Sequence, residues 1–203
     1  MRINNKRGQV TIFVIIGILI VAVVILIFVL YDKTRIAIPP SIEDNPVKSL
    51  QSCINKNLEE GVEKIFENGG YTDQLKLEIT KSFKGKNVPY ICFTGINHAR
   101  CLSQQAVLIS HLEKELYEYS KPKVEDCFDK LKKSLEERQY SVSLKRNMSF
   151  SIDFVSHGVK ANVEREMTIS KSGKSRKFSN YDTTINSPLY DISVLISEIN
   201  RQE

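Results

Sequence analysis

Residues 149–180 read SFSIDFVSHGVKANVEREMTISKSGKSRKFSN. Apolar and polar side chains alternate along most of this stretch, which is typical of β-strands with one buried face. Two interruptions, His157-Gly158 and Lys171-Ser172-Gly173-Lys174, are typical of tight turns. We therefore predict an antiparallel β-meander here, with a weaker third strand near 176–185.

Amphipathic helices are predicted on both sides of the meander. The first follows Pro46 and has a single apolar stripe that Asn68-Gly69-Gly70 ends. A second is predicted over about 103–120 and a third from Pro122, packed antiparallel because the link between them is short. A last helix opens at Ser187-Pro188.

Residues 71–102 are harder to interpret, because their apolar residues come in short runs. Short strands are expected near 75–79 and 88–93, with a turn at 84–87. The predicted fold class is therefore α+β, with three or four helices packed on one face of a small antiparallel sheet.

The most apolar part of the chain is residues 10–31, VTIFVIIGILIVAVVILIFVLY, in which only Thr11 and Gly17 fall outside the apolar set. As a helix this segment would be about 33 Å long, enough to cross a bilayer core of ~30 Å. We therefore predict one long N-terminal transmembrane helix, anchored from Val10 to Tyr31 and including Phe13.

The charges beside this segment predict its orientation. Arg2, Lys6 and Arg7 precede it with no acid, so the positive-inside rule places the N-terminus in the cytoplasm. The predicted location is the cell membrane, with a single crossing. The predicted parts are a basic leader (1–8), a transmembrane helix (9–31), a linker (32–46) and an extracytoplasmic domain (47–203).

Residues 6–13 read KRGQVTIF, which places a basic pair, a glycine and a glutamine directly before the apolar segment. This resembles the class III signal peptide of archaeal type IV pilins. The resemblance implies that a prepilin-type peptidase cuts between Gly8 and Gln9 and that the apolar helix then packs in a filament core. One departure is Phe13, which stands where many pilins have a glutamate to face a neighbour's charged amino terminus. The alternative is an uncleaved signal anchor.

Three further motifs are Ser52-Cys53-Ile54, Gly69-Gly70-Tyr71 and Val88-Pro89-Tyr90. With the QVTIF-type start, they make the chain similar to a group of uncharacterised anchored proteins from small-genome archaea. This resemblance extends to about residue 200, and it implies a location and an architecture but no activity.

The four cysteines are Cys53, Cys92, Cys101 and Cys127. An even count in a domain predicted outside the cytoplasm favours disulfides, and four cysteines allow three pairings. We favour Cys53–Cys127, since both lie on apolar sides of predicted helices, together with Cys92–Cys101. Four buried free thiols are the alternative.

A zinc site is a further alternative for Cys92, His98, Cys101 and His111, because zinc accepts two thiolates and two imidazoles. The spacing C-x5-H-x2-C-x9-H matches no common zinc pattern, so we predict no metal and no cofactor. His157 is interpreted as a turn residue.

Motifs for nucleophilic catalysis or phosphate binding, such as G-x-S-x-G, H-E-x-x-H or a glycine-rich loop before G-K-[ST], do not occur in the sequence. The acid pairs Glu59-Glu60 and Glu136-Glu137 fit solvated helix faces. We therefore predict no catalytic residue and no enzyme activity.

The net charge of +5 is concentrated at the N-terminus. Without Arg2, Lys6 and Arg7, 26 basic residues face 24 acidic ones, so no nucleic-acid partner is expected. A basic cluster is interpreted as a solvated hairpin tip, with anionic lipid headgroups or an acidic glycan as alternative contacts; it comprises Lys171, Lys174, Arg176 and Lys177. Asn147 begins a sequon and is a glycosylation candidate if exposed.

The predicted function is that of a pilin-like, membrane-anchored surface protein with a structural or interaction head, such as a filament subunit or minor pilin. Its expected partners are the lipid bilayer, further copies of itself or other envelope proteins, and a prepilin-type peptidase. The alternative is a monomeric, uncleaved, anchored binding module of the cell envelope. A redox or enzymatic role of the cysteines is a third hypothesis.

Overall fold

The computed structural model describes residues 15–22, 45–73, 79–97, 102–105 and 107–202. The chain divides into two compact units, Met1–Ser41 and Ile42–Glu203. In the first unit the described residues are helical and their side chains are exposed. The second unit is an α+β domain in which helices pack on an antiparallel sheet.

No helix in the described part of the chain is long and apolar enough to cross a membrane. On this finding, the predicted transmembrane helix and the predicted single-pass location in the cell membrane are wrong. Gly17 lies in the described helix at 15–22, whereas the other predicted anchor residues, Val10, Phe13 and Tyr31, lie outside the described residues.

Helix α1, Pro46–Glu67, begins and ends where its sequence predicts. Asn45 caps it, because its Oδ1 accepts a hydrogen bond from the backbone N–H of Lys48 at 3.1 Å. Gly69 and Gly70 stop it with φ angles of 63° and 107°, which glycine adopts at little cost.

Helix α2, Leu108–Glu137, is continuous through Pro122. The prediction of two antiparallel helices joined at Pro122 is therefore wrong. Buried side chains at Leu112, Leu116, Ser120 and Val124 follow one another in steps of four, so the stripe that packs on α1 passes the proline in phase. Packing along the whole stripe offsets the one backbone hydrogen bond that proline cannot donate.

Two small hairpins lie between α1 and α2. The first pairs β1 (Thr80–Phe83) with β2 (Lys86–Pro89), and the second pairs β3 (Cys92–Phe93) with β4 (Leu102–Ser103). The predicted turn at 84–87 is present, with Lys84 and Gly85 at positive φ. The strand predicted over 88–93 is divided between β2 and β3, and most of the strand predicted over 75–79 lies outside the described residues.

The main sheet has five antiparallel strands and is built around its longest one, β7. Its members are β5 (Ser141–Leu144), β6 (Ser149–Val155), β7 (Gly158–Lys171), β8 (Lys174–Asn180) and β9 (Thr183–Asn186). The first half of β7 pairs with β6 and β9, and its second half pairs with β5 and β8. The first two strands of the predicted meander are β6 and β7, whereas the third, predicted near 176–185, is divided into β8 and β9, which pair with different halves of β7. Helix α3, Leu189–Gln202, closes the fold.

The hydrophobic core lies between one face of this sheet and helices α1 and α2. Phe150, Ile152 and Phe154 of β6 point into it, and the residues between them face outward. No apolar side chain from the described residues between 66 and 107 joins this core. The two small hairpins are therefore an addition to a domain whose core is complete without them.

Candidate interaction surface

Helix α3 carries apolar side chains on two faces. Leu189 is buried and Ile196 is half-buried on the face that packs against the domain. The other face presents an exposed stripe with 3-4 spacing, in which Ile192, Leu195 and Ile199 are 39, 61 and 55% exposed. Packing on the domain needs only one apolar face, so the second stripe is available for a further contact.

The segment between α1 and α2 extends this exposed stripe. Tyr90 and Ile91 follow β2 and are exposed, and together with Ile196 and Ile199 they line a shallow recess. We name the surface formed by Tyr90, Ile91, Ile192, Leu195 and Ile199 the α3 surface. It is contiguous, because the recess joins the hairpin segment to the helix.

A groove of about 290 Å³ lies beside the α3 surface. Its polar lining includes Gln105, His111 and Asn200, and its apolar edge is shared with the α3 surface at Tyr90 and Ile91. This volume is at the lower end of the range for small-molecule sites. The groove therefore fits a side chain of a docked protein better than a large cofactor.

Hydrogen bonds fix the loop that forms one wall of the groove. His111 donates from Nε2 to the carbonyl oxygen of Gly70 at 3.1 Å, and its ring lies edge-on to Tyr71 with 4.7 Å between centroids. The buried carboxylate of Glu115 accepts from the backbone N–H and the hydroxyl of Thr72, at 3.1 and 2.9 Å. His111 and Glu115 thus hold the backbone after α1, which is a structural role.

A disulfide joins Cys53 of α1 to Cys127 of α2, which is the pairing that the sequence favours. The two Cα atoms are 6.0 Å apart, and the bridged positions are 74 residues apart in the chain. Asn57 donates from Nδ2 to the Sγ of Cys127 at 3.2 Å. Cys92 is also disulfide-bonded, and its predicted partner Cys101 lies outside the described residues.

The zinc alternative loses a ligand in this structure. Zinc needs a thiolate, and the sulfur of Cys92 is in a disulfide. His98 and Cys101 lie outside the described residues, while His111 contacts Gly70. Within the described ranges, no group of three or more His, Cys, Asp or Glu side chains is placed to hold a metal ion.

The turn between β6 and β7 holds the first turn of α3. His157 has a φ of 61°, as its predicted turn position requires. Its backbone N–H and the hydroxyl of Ser156 donate to the carboxylate of Asp191, at 3.0 and 3.1 Å. The backbone hydrogen bond from His157 is the main cause that lowers the pKa of Asp191.

The acid pairs Glu59-Glu60 and Glu136-Glu137 lie on exposed helix surfaces, as predicted. Glu60 is hydrogen-bonded to two side chains of α2. The hydroxyl of Tyr119 donates to Glu60 at 2.5 Å, and the ammonium of Lys123 donates to both. The hydrogen bond from Tyr119, followed by that from Lys123, lowers the pKa of Glu60. This cluster links α1 to α2, and the lowered pKa favours the ionised carboxylate.

Other predicted positions divide into exposed and undescribed ones. Asn147 is exposed in the connection between β5 and β6, and the processing residues Gly8 and Gln9 lie outside the described residues.

The sequence did not lead us to predict the α3 surface. A signal was present, because α3 has more apolar residues than a single packed face needs.

The chain matches no protein-family model, no curated protein and no solved structure. The resemblances to pilin leaders and to anchored archaeal proteins therefore stay predictions. The structure defines a class, a disulfide-linked α+β domain with an exposed apolar helix stripe, and the function has to be inferred from that surface.

Proposed function

We propose that this chain is a structural protein that associates with further copies of itself through the α3 surface, and that it is not an enzyme. The proposal rests on one observation, the exposed stripe Ile192, Leu195 and Ile199. Full burial of one such side chain is worth roughly 1.5–3 kcal/mol, so covering the stripe would drive association. Its 3-4 spacing is that of helices that pair along a seam.

A second copy is a suitable occupant because the stripe is self-complementary. In a two-fold dimer the same helix meets itself, and α3 would run antiparallel to its copy. Pairing centred on Leu195 brings Ile192 of one copy near Ile199 of the other.

The non-catalytic part of the proposal is supported by polar groups at the groove wall and between α1 and α2. His111, Glu115 and Glu60 are engaged with backbone or with neighbouring side chains. General acid–base catalysis needs such groups to be turned toward a substrate, with a pKa near the working pH. The hydrogen bonds found here stabilise loops and helix contacts instead.

Site-directed cross-linking tests the proposal. In the full-length chain, Leu195→Cys should form a covalent dimer with a short bismaleimide reagent, because the two copies of position 195 face each other. Phe66→Cys is the matched control, since Phe66 is an exposed apolar residue on α1 and is not part of the α3 surface. This pair of variants separates pairing through α3 from association through any other segment.

A second variant tests the driving force. Leu195→Glu in both copies should abolish the cross-link between Ile192→Cys in one copy and Ile199→Cys in the other, whereas Phe66→Glu should leave it intact. If Leu195→Cys cross-links no faster than Phe66→Cys at micromolar concentration, self-association through α3 is wrong and the surface serves a different protein.

A further inference from the structure

A second groove, of about 320 Å³, lies beside the turn of the β7–β8 hairpin and shares no residue with the α3 surface. Its floor is apolar and includes Pro46, Leu135 and Phe178. Three cationic residues stand at its rim: Lys171, Lys174 and Arg176. Among the described residues that line it, none is acidic.

The register of the hairpin explains why these cations share one face. Lys171 pairs with Lys174 and Ile169 pairs with Arg176, so the four side chains project from the same side of the sheet. Like charges placed directly opposite each other are unfavourable in a sheet. The ends of α1 and α2 border the groove through Pro46 and Leu135, which are buried, and Phe178 of β8 is half-buried. The groove therefore combines exposed cations with an apolar floor.

The cations differ in how they are engaged. The ammonium of Lys171 lies 4.1 Å from the ring centroid of Tyr140, and Lys177 on the opposite face pairs with Glu166. Lys174 and Arg176 are exposed, and among the described residues neither has a carboxylate partner. Two adjacent side chains of β8 on the same face are therefore free to bind an anion.

The outer edge of β8 offers backbone groups as well. Within the described residues β8 pairs only with β7, and it is seven residues long. An unpaired edge of this length can accept an extended peptide as an additional strand. Residues i and i+2 of such a peptide point to one face, as Lys174 and Arg176 do.

We propose that this groove and the edge of β8 bind an extended acidic peptide segment of a partner protein, with carboxylates two residues apart facing Lys174 and Arg176 and an apolar side chain resting near Phe178. The charge of the groove selects the acidic residues, and its floor selects the apolar one. This site shares no residue with the α3 surface, so the peptide proposal and the proposed self-association are tested independently.

The test uses a fluorescein-labelled peptide, Glu-Thr-Glu-Val-Phe-Thr-Glu, and the full-length chain in a fluorescence anisotropy titration. We expect saturable binding that weakens as salt is raised from 50 to 500 mM, as roughly expected for paired charges at a surface. The double variant Lys174→Ser/Arg176→Ser should bind about tenfold more weakly or worse. Its matched control is Lys160→Ser/Arg146→Ser, two exposed cations outside the groove, which should bind like the unmodified chain.

Two further titrations test whether the groove recognises carboxylates. The same peptide with glutamine in place of each glutamate should bind at least about tenfold more weakly, because the charges are lost and the shape is kept. Equal binding of the glutamine peptide, or equal binding by the groove double variant, overturns the proposal. Binding of an oligouridylate RNA with no binding of the peptide overturns it as well, because the groove would then be a phosphate site.

Discussion

At the scale of single residues, Tyr181 shows how the core accepts a polar group. Its side chain is 0% exposed and packs edge-on against Phe128, with 5.1 Å between ring centroids. Within the described residues its hydroxyl has no hydrogen-bond partner, and burial raises its pKa to about 12. The ring stabilises the core, while the desolvated hydroxyl costs free energy.

We expect Tyr181→Phe to raise the free energy of unfolding by about 1 kcal/mol at pH 7, because it removes a buried, unpaired hydroxyl and keeps the ring. Urea unfolding followed by circular dichroism measures this.

A folded pKa of Tyr181 raised from 10.0 means that its contribution to stability is full below pH 10 and is lost as the pH rises through about 12. Tyr181→Phe should remove this alkaline loss, and a variant as sensitive to pH 11 as the original chain would contradict this account. Tyr190→Phe, at a half-buried position, is the control.

The lowered pKa of Asp191 predicts that folding stability falls in acid, whereas the raised pKa of Tyr181 predicts that it falls in alkali. Because the hydrogen bond from the His157 backbone lowers its folded pKa below 3.8, Asp191 contributes stability that is present above the unfolded pKa. That contribution is lost as the pH falls through the folded value. Asp191→Asn should therefore unfold with a shallower dependence on pH between 2 and 5, measured by thermal unfolding. An unchanged acid slope would show that the bonds from Ser156 and His157 do not stabilise α3.

At the scale of elements, the packing of α1 on α2 depends on a close approach at Gly61. A Cβ atom at this position would lie 2.5 Å from Cδ1 of Leu116 and 2.8 Å from Cδ1 of Tyr119. Leu116 is fully buried, so its side chain has little room to move.

We expect Gly61→Ala to lower the free energy of unfolding by about 1–2 kcal/mol, because overpacking outweighs the better helix propensity of alanine, which is worth about 1 kcal/mol. Ser52→Ala, at an exposed position of α1, is the control and should not destabilise. Urea unfolding compares the two variants. If Gly61→Ala is as stable as the original chain, the helices can separate at low cost and the close approach is not needed.

At the scale of the whole molecule, the Cys53–Cys127 disulfide closes a loop that contains both small hairpins. For a bridge that spans 74 residues, the chain-entropy model gives a stabilisation of about 4 kcal/mol. We therefore expect Cys53→Ala/Cys127→Ala to lower the free energy of unfolding by about that amount. Urea unfolding without reductant measures it, and a loss below about 1 kcal/mol would mean that helix packing alone holds α1 to α2.

The absence of core residues among the described positions of the hairpin segment predicts uneven stability within the domain. Amide hydrogen exchange should be at least about 100-fold faster in β1 and β2 than in the first half of β7, because only the latter lies against the core. Mass spectrometry of peptic fragments can compare the two regions. Equal protection would contradict the view that the hairpins are an addition to a complete core.

Much of the fold could be predicted because local chemistry decides it. The alternation in β6 and β7, the Ser172-Gly173 turn and the stop at Gly69-Gly70 all depend on neighbours in the chain, and the structure has each of them. The roles of the residues in the groove beside the α3 surface were harder to predict. The sequence around His111, for example, does not show whether its ring binds a metal ion or a carbonyl oxygen. The α3 surface was missed because an exposed apolar stripe has the same periodicity as a buried one.

The sequence by itself determined the short-range features of this protein: the helix stripes, the tight turns and the strand periodicity, each set by interactions within a few residues. Only the tertiary structure decided that α2 runs through Pro122, because that outcome depends on packing against α1 along the whole helix. It also decided which apolar side chains of α3 stay exposed, because burial depends on which distant elements cover a surface. Contacts between residues far apart in the chain, such as Cys53 with Cys127, belong to that second group.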